Sequence, residues 1–155
     1  NEQDSVGLNY LNNTIEDIVI IVEVNDANVT VKLSESNTKV KYEGGIFRVQ
    51  VDFLSSVLQS EDMIEEFTTE IMDQIIVKQN KFVKNIIQNC MLQLQENQCD
   101  AADFGGCLYR NEPKVAEQYQ ENWESTFADI QWEIEVCSKI DKSKGAGKPV
   151  KQRGV

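Results

Sequence analysis

Four cysteines carry the most reactive chemistry in this chain: Cys90, Cys99, Cys107 and Cys137. They are even in number and lie in the second half. No C-x-x-C spacing occurs among them, so neither a zinc knuckle nor a thioredoxin-type redox motif is supported. The expectation is two disulfides in an oxidising compartment; the alternative is four reduced thiols. Pairing Cys99 with Cys107 and Cys90 with Cys137 looks natural, but the geometry of a straight helical hairpin objects. Cys137 would stand roughly 35 Å along the second helix and Cys90 only about 13 Å back from the end of the first. Bridged α-carbons lie within about 7 Å. Bent or steeply crossing helices, a loop that doubles back, or a bond to another chain would resolve it, and the connectivity stays open.

Histidine is absent. That removes Ser-His-Asp and Cys-His nucleophile pairs, imidazole metal ligands and the imidazole pH switch. The acids Glu61, Asp62, Glu65, Glu66, Glu70 and Asp73 do not match a calcium-loop spacing and include no turn glycine, so they read as a solvated helix face. Gly145-Ala146-Gly147-Lys148 looks like the end of a phosphate loop, but Lys142 stands where the first glycine is needed and Pro149 where Ser or Thr is needed. No cofactor is expected. Any two carboxylates can converge in a fold, yet nothing here raises a carboxylate enzyme above background. The spacing of Tyr119, Trp123 and Phe127 makes core packing the default, with a ligand-lining or association surface as the sharper reading. Two sequons, at Asn12 and Asn28, fall beside strand-like runs in positions expected to be exposed, as a glycan requires.

The elements that would position these residues divide the chain. The 155 residues fit one ordinary domain, and 41% hydrophobic with 26% charged is a globular composition. Residues 15–53 read as four short strands in an antiparallel meander. Alternating apolar positions at Ile18–Val24, Val29–Leu33, Val40–Tyr42 and Phe47–Phe53 are separated by Asn25-Asp26-Ala27-Asn28, Glu35-Ser36-Asn37-Thr38 and Gly44-Gly45. One face is apolar and needs a cover. Residues 54–98 contain no Gly or Pro and read as a long helix capped by Ser60, with a bend expected at the polar run Lys78–Lys81. Residues 99–113 read as a loop. Residues 114–138 read as a second long helix with a seam of Ala116, Tyr119, Trp123, Phe127, Ile130, Ile134 and Cys137; Trp132 and Val136 lie off that seam, where they would meet the sheet. The expected fold is α+β: a four-stranded antiparallel meander packed on two long helices and stabilised by disulfides. Residues 1–138 would be the domain and residues 139–155 a flexible tail.

Charge is uneven. The net charge is −11, which argues against nucleic acid as the main partner. Residues 1–138 hold nine bases and 25 acids, a net −16; residues 139–155 hold six bases, among them Lys148, Lys151 and Arg153, and one acid, a net +5. The default reading is a solvated surface with a flexible end, and the sharper one is a tail that docks on an acidic surface, its own or a neighbour's, or on a polyanion. No apolar run approaches the ~20 residues that cross a bilayer. These features point to a secreted, extracellular, non-enzymatic domain that works through protein contacts or self-association. Tyr119, Trp123, Phe127 and the tail would be its interaction residues. The alternative is a carrier of a small apolar ligand between sheet and helices.

Overall fold

The period-2 runs of the first third form strands, but three of them and longer than expected. In the computed structural model, which describes residues 2–60 and 68–142, β1 (Ile18–Val24) pairs antiparallel with β2 (Ala27–Glu43) in the register Ile18↔Leu33 to Val24↔Ala27. Asn25 and Asp26 close this hairpin, both at positive φ (52° and 63°), as a two-residue turn matched to strand twist requires. The Glu35–Thr38 segment does not end β2. Glu35 takes a φ of 51° inside the strand. The buried positions shift from Val29, Val31 and Leu33 to Thr38, a change from odd to even numbers. An extra residue in one strand has this effect, moving the buried face by one position while the strand continues. Gly44 and Gly45, at φ 59° and 81°, then turn the chain into β3 (Ile46–Ser60).

The fourth strand comes from the other end of the sequence. β4 (Gln131–Ile140) lies beside β3 in a sheet of order β1-β2-β3-β4. It runs parallel to β3. Arg48 pairs with Glu133 near one end of the two strands, while toward the other the Asp141 N–H donates to the Ser55 carbonyl at 2.7 Å. The sheet is therefore mixed, which corrects the antiparallel meander of four strands. A parallel neighbour needs a crossover, and residues between β3 and β4 supply it.

Helices account for that connection and for the start of the chain. α1 (Glu2–Leu11) precedes the sheet, α2 (Thr69–Glu96) follows β3, and α3 (Phe104–Asn111), α4 (Pro113–Tyr119) and α5 (Trp123–Phe127) precede β4. A single 3₁₀ turn, Gln120–Asn122, separates α4 from α5. The expectation of two long helices is thus wrong. Among the described residues only α2 is long, and the second is a series of short helices followed by a strand. α2 begins later than expected: Thr68 Oγ1 accepts from the Ile71 N–H at 3.2 Å and caps it. The Ser60 cap with its acids at 61–66 falls at or beyond the edge of the described residues. No bend is needed at Lys78–Lys81, because Ile75, Gln79, Val83, Ile87 and Met91 are all buried at four-residue steps and Gln79 takes an apolar position in that row. At its end Gln98 takes φ 51° and the Cys99 N–H donates to the Leu94 carbonyl at 2.9 Å, a left-handed C-terminal cap.

The chain divides into two compact units. Of the described residues, one holds 16–36, 52–60, 68–82 and 137–142, the other 2–15, 37–51 and 83–136. The core of the first includes Ile20, Val22, Val24, Val29, Val31 and Leu33 from the β1–β2 hairpin, with Phe53, Val57 and Ile75. In it the Gln79 amide donates to the Ser138 hydroxyl at 2.8 Å, and that hydroxyl donates to the Asn80 side-chain carbonyl. The core of the second includes Tyr10, Phe47, Val49, Val83, Ile87, Met91, Phe104 and Phe127. There Gly7 of α1 packs so closely on α2 that an added Cβ would stand 2.9 Å from the Ile86 carbonyl oxygen.

No disulfide joins the four cysteines, which overturns the disulfide framework. Cys90 and Cys107 are buried as small apolar side chains, whereas Cys99 and Cys137 are exposed. Cys107 sits in α3, where its thiol donates to the Val40 carbonyl at 3.5 Å.

Candidate functional site

The most elaborate side-chain arrangement among the described residues starts at the turn before α3. Asp100 Oδ1 accepts from the Phe104 N–H and Oδ2 from the Gly105 N–H, each at 2.7 Å. Asp103, in left-handed backbone (φ 61°), accepts from the Gly106 N–H at 3.0 Å. Two carboxylates thus satisfy three amide donors that the first turn of a helix cannot pair internally, and their charge complements the helix dipole. The segment expected as a loop therefore folds as a helix; in a bare sequence the glycine pair 105–106 reads as a helix breaker.

Asp100 also reaches forward. Its Oδ2 accepts from the Trp123 indole N–H at 2.8 Å. Gly105 lets the ring come in: a Cβ there would lie 2.9 Å from the indole nitrogen. Trp123 is fixed from behind as well, with its ring centroid 6.1 Å from Phe127. Phe127 in turn lies 5.9 Å from Phe104, Phe104 packs edge-on to Phe47 at 5.2 Å, and Phe47 meets Tyr42 at 4.8 Å. A continuous row of rings joins the β2–β3 hairpin to α5 within one unit.

Beside Trp123 the surface opens into a cleft of about 210 Å³. Its aromatic lining is Tyr109, Tyr119 and Trp123; Gly105, Leu108 and Ala116 add apolar surface, and Glu117 and Gln120 add polar groups. The cleft is bounded by the helices from α3 to α5. Tyr109 is 63% exposed and Tyr119 37%. Among the described residues, no group of three or more metal-ligating side chains is placed to hold a cation. The nearby Cys107 thiol is pushed up from its ordinary pKa by burial, with Arg110 lowering it and Asp103 and Asp100 raising it; it is therefore a poor nucleophile near neutral pH.

The structure brings together two of the three aromatic residues singled out from sequence. Tyr119 and Trp123 line the cleft, and Phe127 is fully buried behind Trp123. Tyr109, Asp100 and Glu117 were missed. Tyr109 and Asp100 lay in the presumed loop, and no periodicity marks a residue whose partner is 23 positions away. Asn12 is exposed and its amide contacts the Ala101 carbonyl at 3.5 Å. Asn28 is exposed in β2, beside the turn. Cys137 is exposed in β4 rather than on a helical seam. Lys148, Lys151 and Arg153 lie outside the described residues. No described helix is long and apolar enough to cross a membrane.

Comparison with known proteins gives this geometry a setting. No curated protein matches the sequence. A crystal structure of the GerBC protein superposes with a TM-score of 0.73 at 16% identity, over 88% of this chain and 44% of that one. The likeness shows a shared fold, and this chain spans less than half the length of GerBC. A family model described as spore germination B3/GerAC like, C-terminal, matches residues 1–144. The absence of disulfides corrects the disulfide-bonded reading, and nothing in the family match supports a secreted, extracellular glycoprotein. With 144 of its 155 residues matched, the chain belongs to the spore germination B3/GerAC-like C-terminal family.

Proposed function

We propose that this chain is a non-catalytic protein-interaction domain of a germination-receptor subunit, and that the cleft on α3–α5 is its contact surface. Family membership supports the setting, and the span of less than half of GerBC supports a domain of a longer subunit. The observation that carries the reading is the aromatic cleft itself. Tyr109 stands largely in solvent and Tyr119 is partly exposed, beside a tryptophan whose indole is already hydrogen-bonded and packed. Tyr and Trp are the side chains most enriched at the energetic centres of protein interfaces, because rigid rings bury large area at small entropic cost. A ring fixed before binding loses less freedom on association.

Site-specific photocrosslinking in spores tests the reading. A photoreactive phenylalanine at position 119 should give an adduct with a second protein, and the same group at exposed Lys81 on α2 should not. Adducts absent at 119, or equal at both positions, would overturn it.

A further inference from the structure

The chemistry of the cleft narrows the kind of partner surface it accepts; this inference rests on the protein-interaction reading above. Its lining combines three aromatic rings with one carboxylate, Glu117, and no basic side chain. The face of an aromatic ring is negative, and a cation over such a face is attracted. The surrounding segment strengthens this preference. Residues 100–124 hold six acids, Asp100, Asp103, Glu112, Glu117, Glu121 and Glu124, against two bases, Arg110 and Lys114. One of those bases is already engaged, since Arg110 stands 3.9 Å from Asp103. Anionic partners are disfavoured by this field, and a purely apolar partner would leave Glu117 desolvated without compensation. The cleft of about 210 Å³ has room for an aliphatic stem with a charged head. Leu108 and Ala116 give the stem apolar contact, as long cationic side chains require.

We propose that the cleft takes a Lys or Arg side chain from a basic segment of a partner protein, the stem against Leu108 and Ala116 and the cationic head between the rings and Glu117.

The probes are N-acetyl-lysine methylamide, its arginine counterpart and the neutral N-acetyl-norleucine methylamide, titrated into the full 155-residue chain. Amide and indole chemical shifts provide the readout. The expected result is saturable shifts at Gly105, Tyr109 and the Trp123 indole with either cationic probe, and binding at least about threefold weaker with norleucine. Glu117→Gln and Tyr119→Leu should each weaken the lysine probe by about twofold or more, with unchanged circular dichroism. Norleucine binding as well as lysine would overturn the cationic assignment. Unchanged lysine affinity in both variants would overturn the placement. Loss of discrimination between probes while the position-119 crosslink persists would sink this inference and leave the interaction reading standing.

Discussion

Tyr10 is buried at 1% exposure, and burial pushes its phenol up to about 12 from an ordinary value of 10. The neutral phenol is the form that the fold favours. Its contribution is therefore complete below about pH 10 and is lost as pH rises through about 12, a total of roughly 2–3 kcal/mol for this one group. Cys107, also raised by burial, acts in the same direction above pH 9. Urea midpoints measured from pH 8 to 12 should fall steeply in the native chain and less steeply in Tyr10→Phe. An identical alkaline loss in both would rule out Tyr10 as a source. Little of this was legible in the sequence. Glu2–Leu11 has only Val6, Leu8, Tyr10 and Leu11 as large apolar side chains, too sparse for a clear helical stripe, so the helix that buries Tyr10 went unread. Asp100 was equally hidden, because an isolated acid before a Gly-Gly pair gives no hint that it will cap a helix and hold a distant indole.

Strand β4 shows how an element can satisfy two patterns at once. Ile130, Ile134 and Cys137 extend the three- and four-residue steps of the preceding helices, but Trp132, Ile134, Val136 and Ile140 also alternate with exposed Gln131, Glu133, Glu135 and Lys139. Trp132 and Val136, off the helical seam, were the signal for the second pattern, and β-branched and aromatic content favoured it. The long-range pairing with β3 decided between the two, and no local window contains that information. The hairpins were legible because their turns are local: Asn25-Asp26 and Gly44-Gly45 announce themselves. What ties the junction from α5 to β4 back to α2 is Gln95. Its amide donates to the carbonyls of Phe127 and Ile130, both at 3.0 Å, and its carbonyl accepts from the Trp132 indole at 2.9 Å. Replacement by Leu strands the Ile130 carbonyl and the Trp132 indole N–H, while the Phe127 carbonyl keeps the Ile130 N–H at 3.3 Å. Gln95→Leu should therefore lose about 1–3 kcal/mol in chemical denaturation, although it adds apolar surface. Stability within about 0.5 kcal/mol of the native chain would show that the stranded carbonyl and indole find other partners.

At the scale of the whole chain, the two compact units are not separate along the sequence. β2 passes from one to the other between Ser36 and Asn37, β3 between Val51 and Asp52, α2 between Phe82 and Val83, and β4 between Val136 and Cys137. Melting either unit would cut four elements in mid-course and expose backbone hydrogen bonds at every cut, at a cost set by each unpaired group. A helix or strand half removed also loses the cooperativity of the half that remains. The chain should consequently unfold in one transition despite its two cores. The probes for this are already in place. Both tryptophans, Trp123 and Trp132, belong to one unit, so indole fluorescence reports on that unit alone. Cys137 belongs to the other and is exposed, so a dye attached there, with Cys99 replaced by Ser, reports on the second. Far-UV circular dichroism follows the shared elements. All three urea curves should superimpose, with one midpoint and one slope. A dye transition that precedes the indole transition would mean that the unit containing the β1–β2 hairpin opens alone, and the continuity of the four elements would then not be what couples the cores.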